Sequence, residues 1–209
     1  MITNRYQNIG EGSVASYSYT DIAEGTGIVI FNGFGYTTST GEGYSASQSS
    51  FYADPIETEL DGNGGTDTKT LTFDVAPFNL PKTIGGTAYI EGSWAVETSV
   101  GNAGNGKITF EVQKVGGAAL GSVVTETVAC SGTQVKRQSF LLPLTLTKMH
   151  FKRGEILRIS VEMSVTTTGG TGVSMYLAHD PQNRDGTLVT PAVTYHTDLN
   201  FHIPFQLDL

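Results

Sequence analysis

The chain has 209 residues, and its 12 basic and 20 acidic side chains give a formal net charge of -8 at pH 7. An acidic chain repels phosphate backbones, so we do not expect a nucleic-acid partner. The length suits one large β-sandwich domain, and the 26 glycines, without long helix-forming runs, favour turns and short strands over helices.

Charged residues make up only 15% of the chain, so the surface is expected to consist largely of Ser, Thr, Asn and Gly, which suits contacts with other protein. Cys130 is the only cysteine, which excludes a disulfide within the chain, and we expect its side chain to be small and buried. No apolar leader segment follows Met1, and no run approaches 18 apolar residues, which predicts cytoplasmic synthesis and no membrane partner.

The chain begins with a polar segment. Residues 1–25 carry aromatic side chains but no sustained period, which indicates an extended arm that fastens to a neighbour. A β-branched and aromatic run over residues 27–36 predicts the first strand. Residues 37–50 are mostly Ser, Thr, Gly and Tyr and predict a long polar loop, after which residues 51–53 are expected to resume pairing briefly before Pro55.

Alternation of apolar and polar residues predicts several further strands. One covers residues 69–75, where Leu71, Phe73 and Val75 share a face, and another covers residues 84–98 with a bulge expected at Gly92. Because Asn105-Gly106 is a strong hairpin signal, the strands at residues 87–98 and 107–115 are expected to pair antiparallel.

The second half of the chain repeats this pattern. Strands are predicted at 122–129, at 135–142 where Pro143 ends the run, at 157–165, at 173–178 and from 199 to the last residue, with a polar loop at 179–186. Since Pro204 lacks an N–H, the last strand is expected at a sheet edge or with a bulge near Pro204. The fold class is therefore all-β: residues 26–209 form a single two-sheet, jelly-roll-like β-sandwich of about eight to ten antiparallel strands.

Two segments have residue types that bind cations or move protons. Asp61, Asn63 and Asp67 place oxygen ligands at near-alternate positions in a Gly-rich loop, but the EF-hand pattern is incomplete, which favours a surface turn over a calcium site. His179-Asp180 would orient an imidazole for general-base work, but no nucleophile motif accompanies it, which favours a structural loop.

Two further sets of side chains suggest saccharide chemistry. Paired carboxylates for glycoside hydrolysis could come from four glutamates on predicted strands: Glu91, Glu97, Glu111 and Glu162. Their positions in the alternating pattern are typical of residues that face solvent. Aromatic side chains for stacking on sugars are available at Tyr36, Tyr44, Phe51, Tyr52 and Trp94, of which Trp94 is expected to be core. No nucleotide motif is present, and we predict no catalytic, cofactor-binding or metal-binding residues and no cofactor.

Three stretches carry a resemblance to a known group of proteins. They are Tyr19 to Gly27, His179-Asp180-Pro181 with Asn183-Arg184, and the terminal Ile203-Pro204-Phe205-Gln206-Leu207-Asp208-Leu209. In their order and spacing the chain resembles small jelly-roll virion structural proteins of tailed bacteriophages. The resemblance implies a capsid decoration, cement or minor capsid protein, and it implies no catalytic residues.

The resemblance also implies partners and a location. We expect the chain in the virion, bound to the major capsid protein or other virion proteins, as a homo-oligomer for which a trimer is one arrangement. The expected function is stabilisation of the particle surface through contacts repeated over a symmetric shell. Two alternatives stay open: a glycan- or receptor-binding module of a phage fibre or tail, using residues 34–52, and a hydrolase using the strand glutamates.

Overall fold

Twelve strands account for most of the computed structural model, which describes residues 26–189 and 195–207. The described residues form strands, turns and loops with no helix, which confirms the all-β class, although the strands outnumber the eight to ten predicted. They are β1 (Thr26–Thr38), β2 (Gly41–Ser47), β3 (Glu57–Gly62), β4 (Gly65–Val75), β5 (Lys82–Thr98), β6 (Ala103–Lys114), β7 (Ala119–Val124), β8 (Val128–Ser131), β9 (Gln134–Phe151), β10 (Leu157–Gly169), β11 (Val173–Ala178) and β12 (Leu199–Leu207).

The strands join in one sheet that folds over on itself. Its order is β3-β11-β5-β12-β1-β2-β4-β10-β6-β7, with β8 also paired to β6 and β9 to β5. Because β7 packs on β9, and β10 packs on β11, the two halves face each other as a β-sandwich, an arrangement compatible with a jelly roll. The expectation of purely antiparallel strands is wrong at one place, since β2 and β4 pair in parallel at Ser45 and Ala46.

The core lies between the two halves and follows the predicted alternation. Leu71, Phe73 and Val75 of β4 point inward, as do five alternating residues of β10 and the inward residues of β12. Trp94 and Cys130 are buried, as predicted. Burial of these apolar side chains is the main source of stability in such a fold.

A second, smaller core lies on the opposite side of β5 and β11. There Ala95, Tyr176 and Ala178 are covered by Val189 from the segment that follows β11. Arg137 of β9 donates a hydrogen bond from Nε to the Leu188 carbonyl and holds this segment in place. The segment therefore covers one end of the outward surface of β5.

The predicted loop at residues 37–50 is wrong. Gly41–Ser47 forms β2, which pairs with β1 around a tight turn in which Gly41 has a positive φ of 137°. Residues 51–53 form no strand, and Asp54 makes only an isolated bridge to Tyr36. The polar composition of β2 follows from its exposure, because most of its residues contact solvent or line a cleft.

The predicted pairing of residues 87–98 with residues 107–115 is also wrong. β5 pairs with β9, β11 and β12, whereas β6 pairs with β10, β7 and β8. Asn105-Gly106 lies inside β6, opposite Val165 and Thr166 of β10. Gly106 is needed there for packing, since a Cβ atom would lie 2.9 Å from Val96 Cγ2 and 3.0 Å from Trp94 Cζ3 of the facing half.

Bulges and prolines differ in part from expectation. Gly92 sits in regular pairing with Phe140, and a Cβ at Gly92 would lie 3.0 Å from that ring. In the ladders that β5 forms with β9 and β12, the register shifts lie instead at Ile84/Gly86 and at His202/Phe205. The second shift confirms the bulge predicted near Pro204, although β12 is central rather than at an edge.

Pro143 does not end its strand, because β9 continues to Phe151. Within the described residues, β9 forms a ladder with β5 alone, so a residue lacking an N–H is tolerated there.

The predicted arm, residues 1–25, lies outside the described residues, so its boundary with the domain at residues 26–209 stays a prediction. Across residues 26–189 and 195–207 the structure has no bilayer-spanning helix.

Candidate functional site

The loop after β11 is built on buried polar side chains. His179 is fully buried, and its Nε2 lies 2.9 Å from the Thr58 hydroxyl of β3. The imidazole packs edge-on against Tyr44, with ring centroids 5.5 Å apart. Burial lowers the pKa of His179 to about 4. At neutral pH the ring is therefore uncharged and belongs to the packing beneath the loop, out of reach of a substrate in solvent.

Asp180 and Arg184 fix the remainder of the loop. The Asp180 carboxylate is buried and accepts hydrogen bonds from the Gln182 and Arg184 backbone N–H groups, at 3.2 and 2.6 Å, and from Arg184 Nε at 2.9 Å. Burial raises the pKa of Asp180, but these hydrogen bonds outweigh it and hold the pKa below its ordinary value. Arg184 is thereby directed outward to the Tyr52 ring, 4.2 Å from its centroid.

An exposed aromatic cluster, defined as Phe34, Tyr36, Phe51 and Tyr52, lies next to this loop. The Phe34 ring lies 5.4 Å from the Phe51 ring and 6.3 Å from the Tyr36 ring, between centroids. Phe51 is 49% exposed and Tyr52 is 71% exposed. Aromatic faces left open in this way are suited to stacking on a ligand.

The structure brings together only part of the predicted stacking set. Tyr44 is half-buried, and its hydroxyl donates to Glu42 Oε2 at 2.6 Å and contacts the Thr58 hydroxyl at 2.9 Å. Trp94 is core. Phe34 lies in the predicted glycan-binding stretch 34–52 but not in the named stacking set, because its run predicts a buried strand; the two-residue period places it on the same face of β1 as Tyr36.

A cleft of about 760 Å³ opens beside the aromatic cluster. Its lining combines aromatic, hydroxyl and amide side chains, among them Phe34, Phe51, Ser45, Ser47, Gln48, Phe78, Leu80, Asp74 and Lys82. Arg158 pairs bidentately with Asp74, through Nε to Oδ1 at 2.7 Å and Nη2 to Oδ2 at 2.8 Å. The volume is within the range of small-ligand sites.

A second candidate surface, the outer face, is the outward side of β9, β5, β12 and β1. Residues directly opposite one another share a face, so Pro143, Tyr89, His202 and Ile30 form one row across the four strands. The flanking rows add Leu141 beside Glu91 and Ile28 beside Pro204. Ile28, Tyr89 and Leu141 are 42%, 39% and 61% exposed, which gives a largely uncharged surface.

Hydrogen bonds engage the acidic residues of the loop at 61–67, which the sequence predicts as a surface turn rather than a calcium site. Asp67 Oδ2 accepts from the Asn63 backbone N–H at 2.8 Å, and Asp61 Oδ1 accepts from the Ser174 hydroxyl at 2.6 Å. In the part of the chain that the structure describes, no three His, Cys, Asp or Glu side chains gather as metal ligands would.

The strand glutamates are divided between two surfaces. Glu91 and Glu97 lie on β5, whereas Glu111 and Glu162 lie on the neighbouring strands β6 and β10. The Glu91 carboxylate is engaged by Asn200 Nδ2 at 3.0 Å, and His202 Nε2 lies 3.2 Å from it. The hydrolase alternative stays an untested prediction.

Comparison with known proteins yields matches in structure alone. No protein-family model and no curated protein sequence matches the chain. Solved structures that match include a CocE/NonD family hydrolase from Staphylococcus aureus, with a TM-score of 0.38 and 9% identity over 84% of this chain. The match covers 36% of the hydrolase, so this chain corresponds to only about a third of that protein's length.

Two further matches are viral. The infectious bursal disease virus structure, Gt strain, matches with a TM-score of 0.34 and 13% identity, over 94% of this chain and 53% of that one. The enzymatically active domain of bacteriophage CBA120 tailspike protein 4 matches with a TM-score of 0.30 and 9% identity, over 91% and 21% of the two chains. Because all three scores are below 0.5, the function of this chain has to be argued from its own residues.

Proposed function

We propose that the chain is a structural protein of a virus particle surface, of the capsid decoration, cement or minor capsid kind, that binds neighbouring virion proteins. The observation that supports this best is the outer face, where Ile28, Tyr89 and Leu141 leave apolar area exposed in a chain with few charges. Apolar patches on a protein surface mark contacts with other proteins. The resemblance to phage virion proteins in three sequence stretches points the same way.

Under this proposal, weak contacts between the chain and the particle shell are enough for stable attachment. A shell presents the same site many times, and a homo-oligomer, such as a trimer, engages several sites at once, so that weak individual contacts add up to stable attachment. The outer face offers such a contact with few charged groups, and its Glu91 carboxylate accepts a hydrogen bond from Asn200 Nδ2.

The first test is the copy number of the chain in purified particles, measured by quantitative mass spectrometry against the major shell subunit. We expect a number that matches the shell symmetry. A handful of copies would assign the chain to a vertex, fibre or tail, and its absence from particles would contradict the proposal.

The second test changes the outer face itself. Leu141→Asp replaces the most exposed apolar side chain of the outer face by a second carboxylate beside Glu91, and we expect the variant to fold but to be depleted from particles. Val100→Asp is the matched control, because Val100 is 83% exposed and lies in the loop between β5 and β6, away from the outer face. Equal amounts of the two variants on particles would show that the outer face is not the contact surface.

A second candidate function is saccharide binding at the aromatic cluster. It is favoured by the open rings of Phe51 and Tyr52 beside a cleft lined with hydroxyl and amide groups. A glycan array should give reproducible binding that Tyr52→Ala or Phe51→Ala removes and Leu141→Asp retains. Tyr44→Ala is less informative, since the Tyr44 hydroxyl supports Thr58 and the ring packs on Phe73.

A further inference from the structure

Lys82 occupies an unusual position at the first residue of β5. Its Nζ lies over two aromatic rings, 4.3 Å from the Phe78 centroid and 5.5 Å from the Phe205 centroid, and its side chain lines the cleft. Burial lowers the pKa of Lys82, because the charged form loses hydration. The ammonium is therefore partly desolvated but still open to the cleft.

Among the residues that the structure describes, the one carboxylate that lines the cleft does not pair with Lys82. Asp74 also lines the cleft, but both of its oxygens are taken by Arg158. Among the described residues, no carboxylate pairs with Lys82, whereas Lys69 lies 3.8 Å from Glu42 and Lys114 pairs with Glu155. A partly desolvated ammonium that faces a cleft is stabilised by an anion bound there.

The rest of the lining restricts the kind of anion. The Phe34 and Phe51 rings supply apolar faces, and Ser47, Gln48 and Ser49 supply groups that both donate and accept hydrogen bonds. Sugar rings present an apolar face and a rim of hydroxyl groups, which match these two elements together. A simple anion such as phosphate would leave the aromatic rings unused.

We propose that the cleft binds acidic saccharides, with the sugar carboxylate on the Lys82 ammonium and a sugar face on Phe51. The inference rests on the saccharide-binding function proposed above and narrows its ligand to sugars that carry a carboxylate. The positive charge of Lys82 selects sugars that carry a carboxylate, while the Phe34 and Phe51 rings and the hydroxyl groups of the lining hold the sugar ring.

The test compares each acid with its own neutral form. Full-length protein is titrated calorimetrically with oligogalacturonates, alginate oligomers and sialyllactose, and then with the methyl esters of the same sugars, which keep the shape but remove the charge. We expect at least one acid to bind about tenfold or more tightly than its ester. Lys82→Gln should abolish that preference, and Lys82→Arg should retain most of it.

Matched variants separate charge from folding. Lys69→Gln removes a lysine that does not line the cleft, and it should leave binding unchanged. If Lys82→Gln fails to fold, the affinities of the wild-type and Lys82→Arg proteins for each acid and its ester still test whether the cleft prefers the acid. Phe51→Ala should weaken the acid and the ester alike, because it removes the stacking surface that both use.

Three results would overturn the inference. Equal binding of acids and esters would leave the saccharide-binding function in place and remove the acidic class. Binding of no sugar in the panel would contradict both the saccharide-binding function and the acidic ligand class. Binding of polyglutamate that depends on Lys82, without sugar binding, would identify an acidic peptide as the ligand instead.

Discussion

His179 and Asp180 show how single residues anchor a loop that looks solvent-exposed in sequence. The run at 179–186 was predicted to be a polar loop in which His179-Asp180 has a structural role, and both side chains are fully buried. Asp180 is stable there because Arg184 and two backbone N–H groups satisfy its carboxylate. Composition does not reveal this, since the partners of His179 are brought from β2, β3 and β4 by the fold.

His179 predicts an acid-sensitive stability. Its pKa falls from an ordinary value of 6.5 to about 4 in the folded chain because burial disfavours the charged ring. Between these pH values the unfolded chain binds the additional proton, so the free energy of unfolding decreases as pH falls, by about 3 kcal/mol from this group in total. Urea unfolding measured from pH 7 to pH 4 should show the decrease.

Two substitutions assign that decrease to His179. His179→Gln should be less stable at pH 7, yet its stability should depend less on pH over the same range. His196→Gln changes an exposed histidine and should keep the wild-type slope. An unchanged slope in His179→Gln would show that another group is responsible.

At the scale of elements, the sequence predicted strand positions better than strand partners. The strict alternation in β4, β10 and β12 predicted both their existence and their buried faces, because burial of one face imposes that period. Partners were not predictable in the same way. The glycine in Asn105-Gly106 was interpreted as a turn residue, whereas the fold uses it to let β6 approach β5.

The aromatic cluster likewise depends on strand pairing that the sequence does not predict. Tyr36, Phe51 and Tyr52 were recognised as candidates from residue type, but Phe34 and Lys82 join the site only through the β1–β2 hairpin and the start of β5. The β2 strand was itself missed, because its Ser, Gly and Tyr residues resemble a loop.

Gly106→Ala tests the close approach of the two halves of the sheet. The added methyl group would lie 2.9 Å from Val96 Cγ2 and 3.0 Å from the Trp94 ring, so neighbouring side chains must shift. We expect a loss of about 2 kcal/mol in the free energy of unfolding, measured with urea. Gly169→Ala is the control, since its nearest neighbour would be 4.0 Å away; equal losses in the two variants would contradict the packing explanation.

For the molecule as a whole, the position of β12 matters most. This strand lies between β1 and β5, and its residues Leu199, Phe201, Ile203 and Phe205 are buried. The first and last described strands are therefore neighbours, paired from Thr26 and Gln206 to Gly33 and Leu199. The interior of the sheet depends on chain segments that are farthest apart in sequence.

A chain shortened to end at residue 198 should not fold cooperatively. It loses two ladders and the four buried side chains of β12, which together exceed the net stability of an ordinary domain. Trp94, the only tryptophan, reports the loss as the absence of a sigmoidal fluorescence transition in urea. A cooperative transition in the shorter chain would show that β12 is dispensable.

The central position of β12 also determines when the sheet can form during synthesis. Ribosomes add about 5 to 20 residues per second, so β1 waits roughly 10 to 35 s for the strand that completes it. During that interval the edges of β1 and β5 that β12 will cover are open to any other extended chain. The sheet therefore cannot be completed before β12 has been made, and until then a nascent chain depends on dilution or chaperones to keep these edges unpaired.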